Sequence, residues 1–196
     1  RDAWSDAFAA VYHLADPLDG APEPLVRDAT GAHHGRARGG MGPQSSVESP
    51  RGRALRFAGG AGADGDFLDL DLPPPLDTDP WDALTVEAWA KQAARGEVRI
   101  ACKSPTTVVA DHTFALGLHA HAPNDRPYAR LGTDLGPAQE LQHPDPVPLD
   151  LWFHVALTWS SADGEAHLYL NGAPADPHHA PGATHRDDPP PPPHAN

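Results

Sequence analysis

Short runs of alternating apolar and polar residues make up most of this chain, and they predict β-strands because successive side chains on a strand point to opposite faces. Such runs occur at AVYHL (10–14), RALRF (53–57), DFLDLDL (66–72), LTVEAWAK (84–91), VRIACK (98–103), TFALGLHA (113–120), YARLGT (128–133), WFHVALTWS (152–160) and EAHLYLNG (165–172). Clusters of glycine, proline and aspartate separate them. Within 66–72, Leu68, Leu70 and Leu72 share a face suited to a core, and Phe67, Asp69 and Asp71 share the other. Within 152–160, Phe153, Val155, Leu157 and Trp159 fall on one face, opposite Trp152, His154, Ala156 and Thr158.

The connections carry turn chemistry. Asp28, placed before Thr30 and Gly31, predicts an Asx-type turn in which its carboxylate accepts local backbone N–H groups. Gly59, Gly60, Gly62 and Gly65 predict a tight connection before Phe67, and Asn171-Gly172 suits the positive φ angles of a two-residue hairpin turn. Long amphipathic helices are missing from the pattern. At the start, Trp4, Phe8 and Val11 have helical spacing, but the same residues also fit an extended entry into the first strand. The chain therefore reads as all-β, a sandwich or barrel of short antiparallel strands.

Composition agrees, since 24 prolines and 18 glycines in 196 residues require much turn and loop. Proline-rich HRDDPPPPPHAN (185–196) supplies few ladder donors and favours an extended rod. The expected organisation is one sandwich over residues 1–185, followed by a linker or tail at 186–196.

A formal net charge of −13, with no Lys/Arg cluster, argues against nucleic acid and anionic membrane as partners. The single Cys102 excludes an internal disulfide and is read as a buried, inert strand residue. No apolar run has the length of a membrane span. The chain starts at Arg1 and is read as part of a longer protein, so a missing export signal says nothing about location.

Five blocks in order, AVYHLAD, VRDATGAHHGRARGG, GRALRFAGGAGADGDFLDLDLPPPLD, LTVEAWAK and DLWFHVALTWSSADGEAHLYLNGAPA, resemble the laminin G-like branch of the concanavalin A-like lectin/glucanase superfamily over roughly residues 9–175. The resemblance implies a two-sheet antiparallel jelly-roll sandwich that binds glycans or cell-surface proteins, outside the cytoplasm, as a non-catalytic adhesion module. In its terms His154 occupies a position that packs or hydrogen-bonds within the fold. The loops at 104–113 and 121–127 border the ligand surface, with Asn124, Asp125 and Arg126 as candidate contacts. The resemblance also implies a calcium ion at the sandwich rim, a hard cation suited to the oxygens of Asp28, Asp64 and Asp66, although each of these fits a turn-capping role as well. The strands that usually follow the LYLNG hairpin have no counterpart in residues 173–196, which leaves an open sheet edge as the expectation.

Other chemistry is weakly marked. A retaining glycoside hydrolase needs two carboxylates about 5 Å apart, but the E-x-D-x-E pattern is absent and Glu87 has no acidic neighbour on its strand. Among 13 histidines, the pairs His33/His34, His119/His121 and His178/His179 have metal-compatible spacing without further ligands, and they read as exposed residues. The opening DAWSDAFAAVYHLAD resembles the junction of bacterial envelope proteins in which a laminin G-like domain accompanies a MotA/TolQ/ExbB-type channel segment. A spacer or sensory domain of such a protein is the alternative function.

Overall fold

The computed structural model describes residues 8–60, 65–70, 83–103, 113–120, 125–133, 136–160, 162 and 164–175. The chain divides into two compact units, Arg1–Leu76 and Asp77–Asn196. The tail expected at 186–196 lies outside the described residues.

The first unit contains β1 (Leu25–Val26), β2 (Gly35–Arg38), a 3-10 turn at Pro43–Ser45, β3 (Ser46–Ser49), β4 (Gly52–Leu55) and β5 (Phe67–Leu70). Strands β1, β2 and β5 form one antiparallel sheet, and β3 and β4 form a hairpin. Leu68 and Leu70 turn inward while Phe67 and Asp69 are exposed, as alternation requires. Strand β2 escaped the sequence pattern because its inward residues are Gly35 and Ala37, too small to register as apolar. Gly35 has a steric reason to be there: a Cβ would come within 2.6 Å of a Leu70 methyl on the paired strand. Among the described residues the core is small, with Leu18, Val26, Ala37, Met41 and Leu55 flanked by Tyr12, Leu14 and Leu68.

Residues 10–14 are not a strand, contrary to the alternation. Their backbone groups pair with the 28–33 loop instead: Val11 N–H donates to the Asp28 carboxylate, Val11 C=O accepts from Ala29 N–H, and the Tyr12 hydroxyl donates to His33 C=O. Leu14 then takes φ 55°, which ends any extended run. No helix occurs among the described residues of this opening segment.

The second unit contains β6 (Ala83–Lys91), β7 (Val98–Lys103), β8 (Phe114–Leu118), β9 (Pro127–Thr133), β10 (Gly136–Gln142), β11 (Trp152–Ser160), β12 (Ala166–Leu170) and β13 (Ala173–Pro174). Two four-stranded antiparallel sheets result, sheet I in the order β10-β9-β8-β7 and sheet II in the order β13-β12-β11-β6. They share one core. Leu116, Leu118, Ala129, Leu141 and Val147 from sheet I and its loops meet Phe153, Val155, Leu157, Leu168 and Leu170 from sheet II. Of the sandwich or barrel that the alternation allows, this is the jelly-roll sandwich that the resemblance implies, with Phe153, Val155 and Leu157 at its centre. Asn171 and Gly172, at φ 51° and 83°, make the expected tight turn between β12 and β13.

Cys102 is exposed, contrary to its reading as buried. A register irregularity between Arg99 and Ala101 shifts the alternation of β7, so Cys102 lies opposite Ala115, on the face of sheet I turned away from the core.

Candidate functional site

Three loops of the second unit gather at one end of the sandwich, those joining β6 to β7, β8 to β9 and β10 to β11. Asp125 ties them together. Its carboxylate, 2% exposed, accepts a hydrogen bond from Arg95 Nη1 at 2.7 Å, and its C=O accepts from Val147 N–H at 2.8 Å. Asp150 N–H donates to Gln92 C=O, and Arg126 C=O accepts from His119 N–H. Of the three ligand contacts expected from the sequence, Asp125 is thus turned into the loop cluster, Arg126 is half-buried beside it, and Asn124 lies outside the described residues.

Beneath this rim, the face of sheet I turned away from the core carries a polar network. Gly117, Tyr128 and Gln142 lie in one row across β8, β9 and β10, and Ala115, Arg130 and Glu140 lie in the next. His119 Nε2 is 2.9 Å from Glu140 Oε1, and Arg130 Nε donates to Glu140 Oε2 at 2.6 Å. His119 stacks on the fully buried Tyr128 ring at 4.2 Å between centroids, and the Arg130 guanidinium sits 4.6 Å from the centre of that ring. Burial opposes the charge of Glu140, but the hydrogen bonds and charges of His119 and Arg130 prevail and hold its carboxyl below the ordinary glutamate range. Burial pushes the Tyr128 phenol up, and among the described residues its hydroxyl finds no hydrogen-bond partner. Tyr128→Phe is therefore expected to leave stability within about 1 kcal/mol of the parent or raise it, since it removes an unsatisfied group while retaining the ring. Urea denaturation measures this directly. His119, expected to be exposed, is instead buried, because its ring stacks on Tyr128 and bonds to Glu140; His121 lies outside the described residues.

Sheet II presents a different outward surface. On β6 it shows Thr85, Glu87, Trp89 and Lys91, all exposed. Register places Lys91 opposite Trp152, Trp89 opposite His154, and Glu87 opposite Ala156, which in turn faces Tyr169; Thr85 faces Thr158, and Thr158 faces His167. Trp89 and His154 approach to 5.3 Å between ring centroids, and His154 Nε2 lies 3.5 Å from Glu87 Oε2. Backbone bonds in both directions fix His154 against Asn171, with His154 N–H donating to Asn171 Oδ1 and Asn171 N–H donating to His154 C=O. His154 is therefore part of the outward surface, not an internal packing residue. The reason is strand parity, which puts it opposite in sense to Phe153 and Val155.

A laminin G family model described as the concanavalin A-like lectin/glucanases superfamily matches residues 64–191 of the 196. The chain belongs to this family. Among solved structures, the native heptameric SAP-like pentraxin from Limulus polyphemus is similar at 24% identity, with a TM-score of 0.38, over 52% of this chain and 46% of the pentraxin. The chain thus spans less than half of that protein's length. No curated protein matches the sequence.

Laminin G-like folds are typically binding domains, and the superfamily also includes glycosidases. Hydrolysis needs a second carboxylate within about 5 Å of the first, or 6.5–9.5 Å for inversion. Glu87 faces His154 and Ala156, and the other outward residues of its strand are Ala83, Thr85, Trp89 and Lys91. Asp69, on the first unit, is held by Arg38 at 3.0 Å.

The calcium expected in a laminin G-like rim has a uneven fit to the residues proposed for it. A carboxylate offers about four lone-pair sites. Asp28 receives five donors: the backbone N–H groups of Val11 and Thr30 on Oδ1, and the Thr30 hydroxyl with the N–H groups of Ala32 and His33 on Oδ2. It is saturated, so the Asx-turn reading describes it and the metal reading does not. Burial works against its charge, yet the combined donors hold its carboxyl far below the ordinary aspartate range. Asp66 accepts from Gly40 N–H at 2.9 Å and Ala58 N–H at 2.7 Å, one on each oxygen, which leaves acceptor capacity. Asp64 lies outside the described residues, and among the described residues no three His, Cys, Asp or Glu side chains converge. His33 and His34 do not form a metal pair either: His34 Nδ1 accepts from Asp28 N–H. His178 and His179 lie outside the described residues.

No helix among the described residues is long and apolar enough to cross a membrane.

Proposed function

We propose that this laminin G-like chain is a non-catalytic binding or adhesion module of a larger extracytoplasmic protein, recognising a glycan or a cell-surface protein. One observation carries the reading: the sandwich displays Trp89, 55% exposed, among hydrogen-bonding side chains on the outward face of sheet II. Asp125 and Arg126 border the same end of the domain as Lys91 and Trp152, with Asp125 acting as the brace, and Asn124, next to them in sequence, completes the proposed contacts. Calcium enters this proposal only through the loop bearing Asp64 and Asp66.

The test is a screen of the purified chain against a broad glycan array and a set of extracellular matrix and surface proteins, each with calcium and with a chelator. Saturable binding without substrate turnover supports the module. Absence of binding to every class favours a structural spacer, and release of sugar that Glu87→Gln abolishes identifies a hydrolase. A rise in melting temperature on adding calcium, missing in Asp66→Asn, supports the ion; an unchanged melting temperature removes it.

A further inference from the structure

We infer that the outward face of sheet II, centred on Trp89, His154 and Tyr169, is a stacking platform for a neutral oligosaccharide; this rests on the binding-module reading and adds the ligand class and the place where it binds. The face combines aromatic planes with closely interleaved donors and acceptors. Trp152 and His154 alternate along β11, Trp89 lies across from His154 on β6, and His167 and Tyr169 stand on β12 with rings 6.3 Å apart. Between Glu87 on one side and Tyr169 on the other sits Ala156, a methyl group that is itself 8% exposed, so the row dips at its middle. Two strand spacings separate β6 from β12, roughly 10 Å in all, enough for two sugar rings laid across the strands.

A pyranose has the matching chemistry. Its axial C–H groups form an apolar face that lies flat on a ring, while its equatorial hydroxyls point sideways toward Glu87, His154, Asn171 and Lys91. A protein partner fits less well, because interface centres are depleted of charged residues, and here Glu87 and Lys91 flank the exposed indole on its own strand. Charge decides the kind of sugar. Lys91 and Glu87 offset each other within the face, and a chain of formal net charge −13 repels acidic glycans. Strand geometry supplies the preorganisation: β11 is paired on both sides over most of its length, so the rings are held before any ligand arrives.

The experiment titrates the chain with neutral hexasaccharides of β-1,4-linked glucose, mannose and xylose, and with heparin and alginate as acidic counterparts, reading tryptophan fluorescence and calorimetric heat. At least one neutral hexasaccharide is expected to bind and to shift the indole emission, with the acidic polymers at least tenfold weaker. Trp89→Ala is expected to weaken that binding tenfold or more while the chain stays folded by circular dichroism, since the side chain is 55% exposed. Arg36→Ala, an exposed residue of the first unit, is expected to leave it within twofold. Neutral-sugar binding that survives Trp89→Ala but falls with Arg126→Ala overturns the platform while the module reading stands. Preference for the acidic polymers overturns the ligand class. Binding to surface proteins alone, or self-association of the chain in sedimentation that Trp89→Ala abolishes, overturns the glycan assignment, and failure with every ligand overturns both readings.

Discussion

Asp28→Ala is expected to destabilise the first unit by about 3 kcal/mol, a large part of the margin of a small domain. The side chain is 4% exposed and gathers five donors from two separated segments, Val11 on one side and Thr30 to His33 on the other. Removing it strands the backbone N–H groups of Val11, Thr30, Ala32 and His33, and it also unties residues 10–12 from the loop. The unit has a small core to compensate, with five buried hydrophobic residues clustered among the described ones. Asp28→Asn is expected to fall between parent and alanine, because an amide keeps one accepting oxygen but turns an NH2 toward the N–H groups of Ala32 and His33. Hydrogen exchange at Val11, Thr30 and His33 locates the loss, and full protection of those amides in Asp28→Ala contradicts it.

The same carboxylate sets a pH dependence. Its folded-state pKa is depressed, so its stabilisation is fully present above the unfolded-state value near 4 and is lost as pH falls from there toward the folded-state value. Glu140 acts in the same direction in the second unit. Acid unfolding of the first unit should therefore begin below about pH 4 in the parent, and the slope should flatten in Asp28→Ala. A slope unchanged by the substitution would show that other groups govern it.

Gly117→Ala is the second large effect, expected at about 3 kcal/mol. A Cβ at this position would lie 2.3 Å from Val98 C=O and 2.9 Å from two atoms of the Tyr128 ring. Neither neighbour yields easily: one is backbone of the adjacent strand, and the other is a fully buried ring in contact with both His119 and Arg130. The glycine is what lets Tyr128 lie flat across the strand, and through that ring it supports the Glu140 network. The measurement is the denaturant midpoint of the single variant and of Gly117→Ala with Tyr128→Leu. Partial recovery in the pair, with the remainder assigned to Val98, is the expected outcome; a single variant as stable as the parent rules out the packing described.

Much of this was legible in the sequence, in particular places. Period-two alternation in 152–160 carried both the strand and its inward face, because a strand buried on one side must repeat every second residue. Asn171-Gly172 was readable as a tight turn because few residues tolerate its φ angles, and Asp28 as an Asx turn because its first donors lie within five residues along the chain. The strand proposed at 10–14 misled because alternation says nothing about where backbone groups find partners, and here the partner was a loop 17 residues away. Strands β2 and β10 were silent, one with glycine and alanine on its inner face and the other with Gln139 on the same face as Leu141 in place of a second apolar residue. Local sequence therefore determined the all-β class, most strands, the face each turns inward and the turns that contact their own neighbours. Tertiary structure alone decided that Asp125 braces three loops, that His119, Arg130 and Glu140 meet around Tyr128, and that Trp89, His154 and Tyr169 share one surface. Those groupings join residues from different strands, and pairing register, which depends on how the sheets assemble around their common core, is what brings them together.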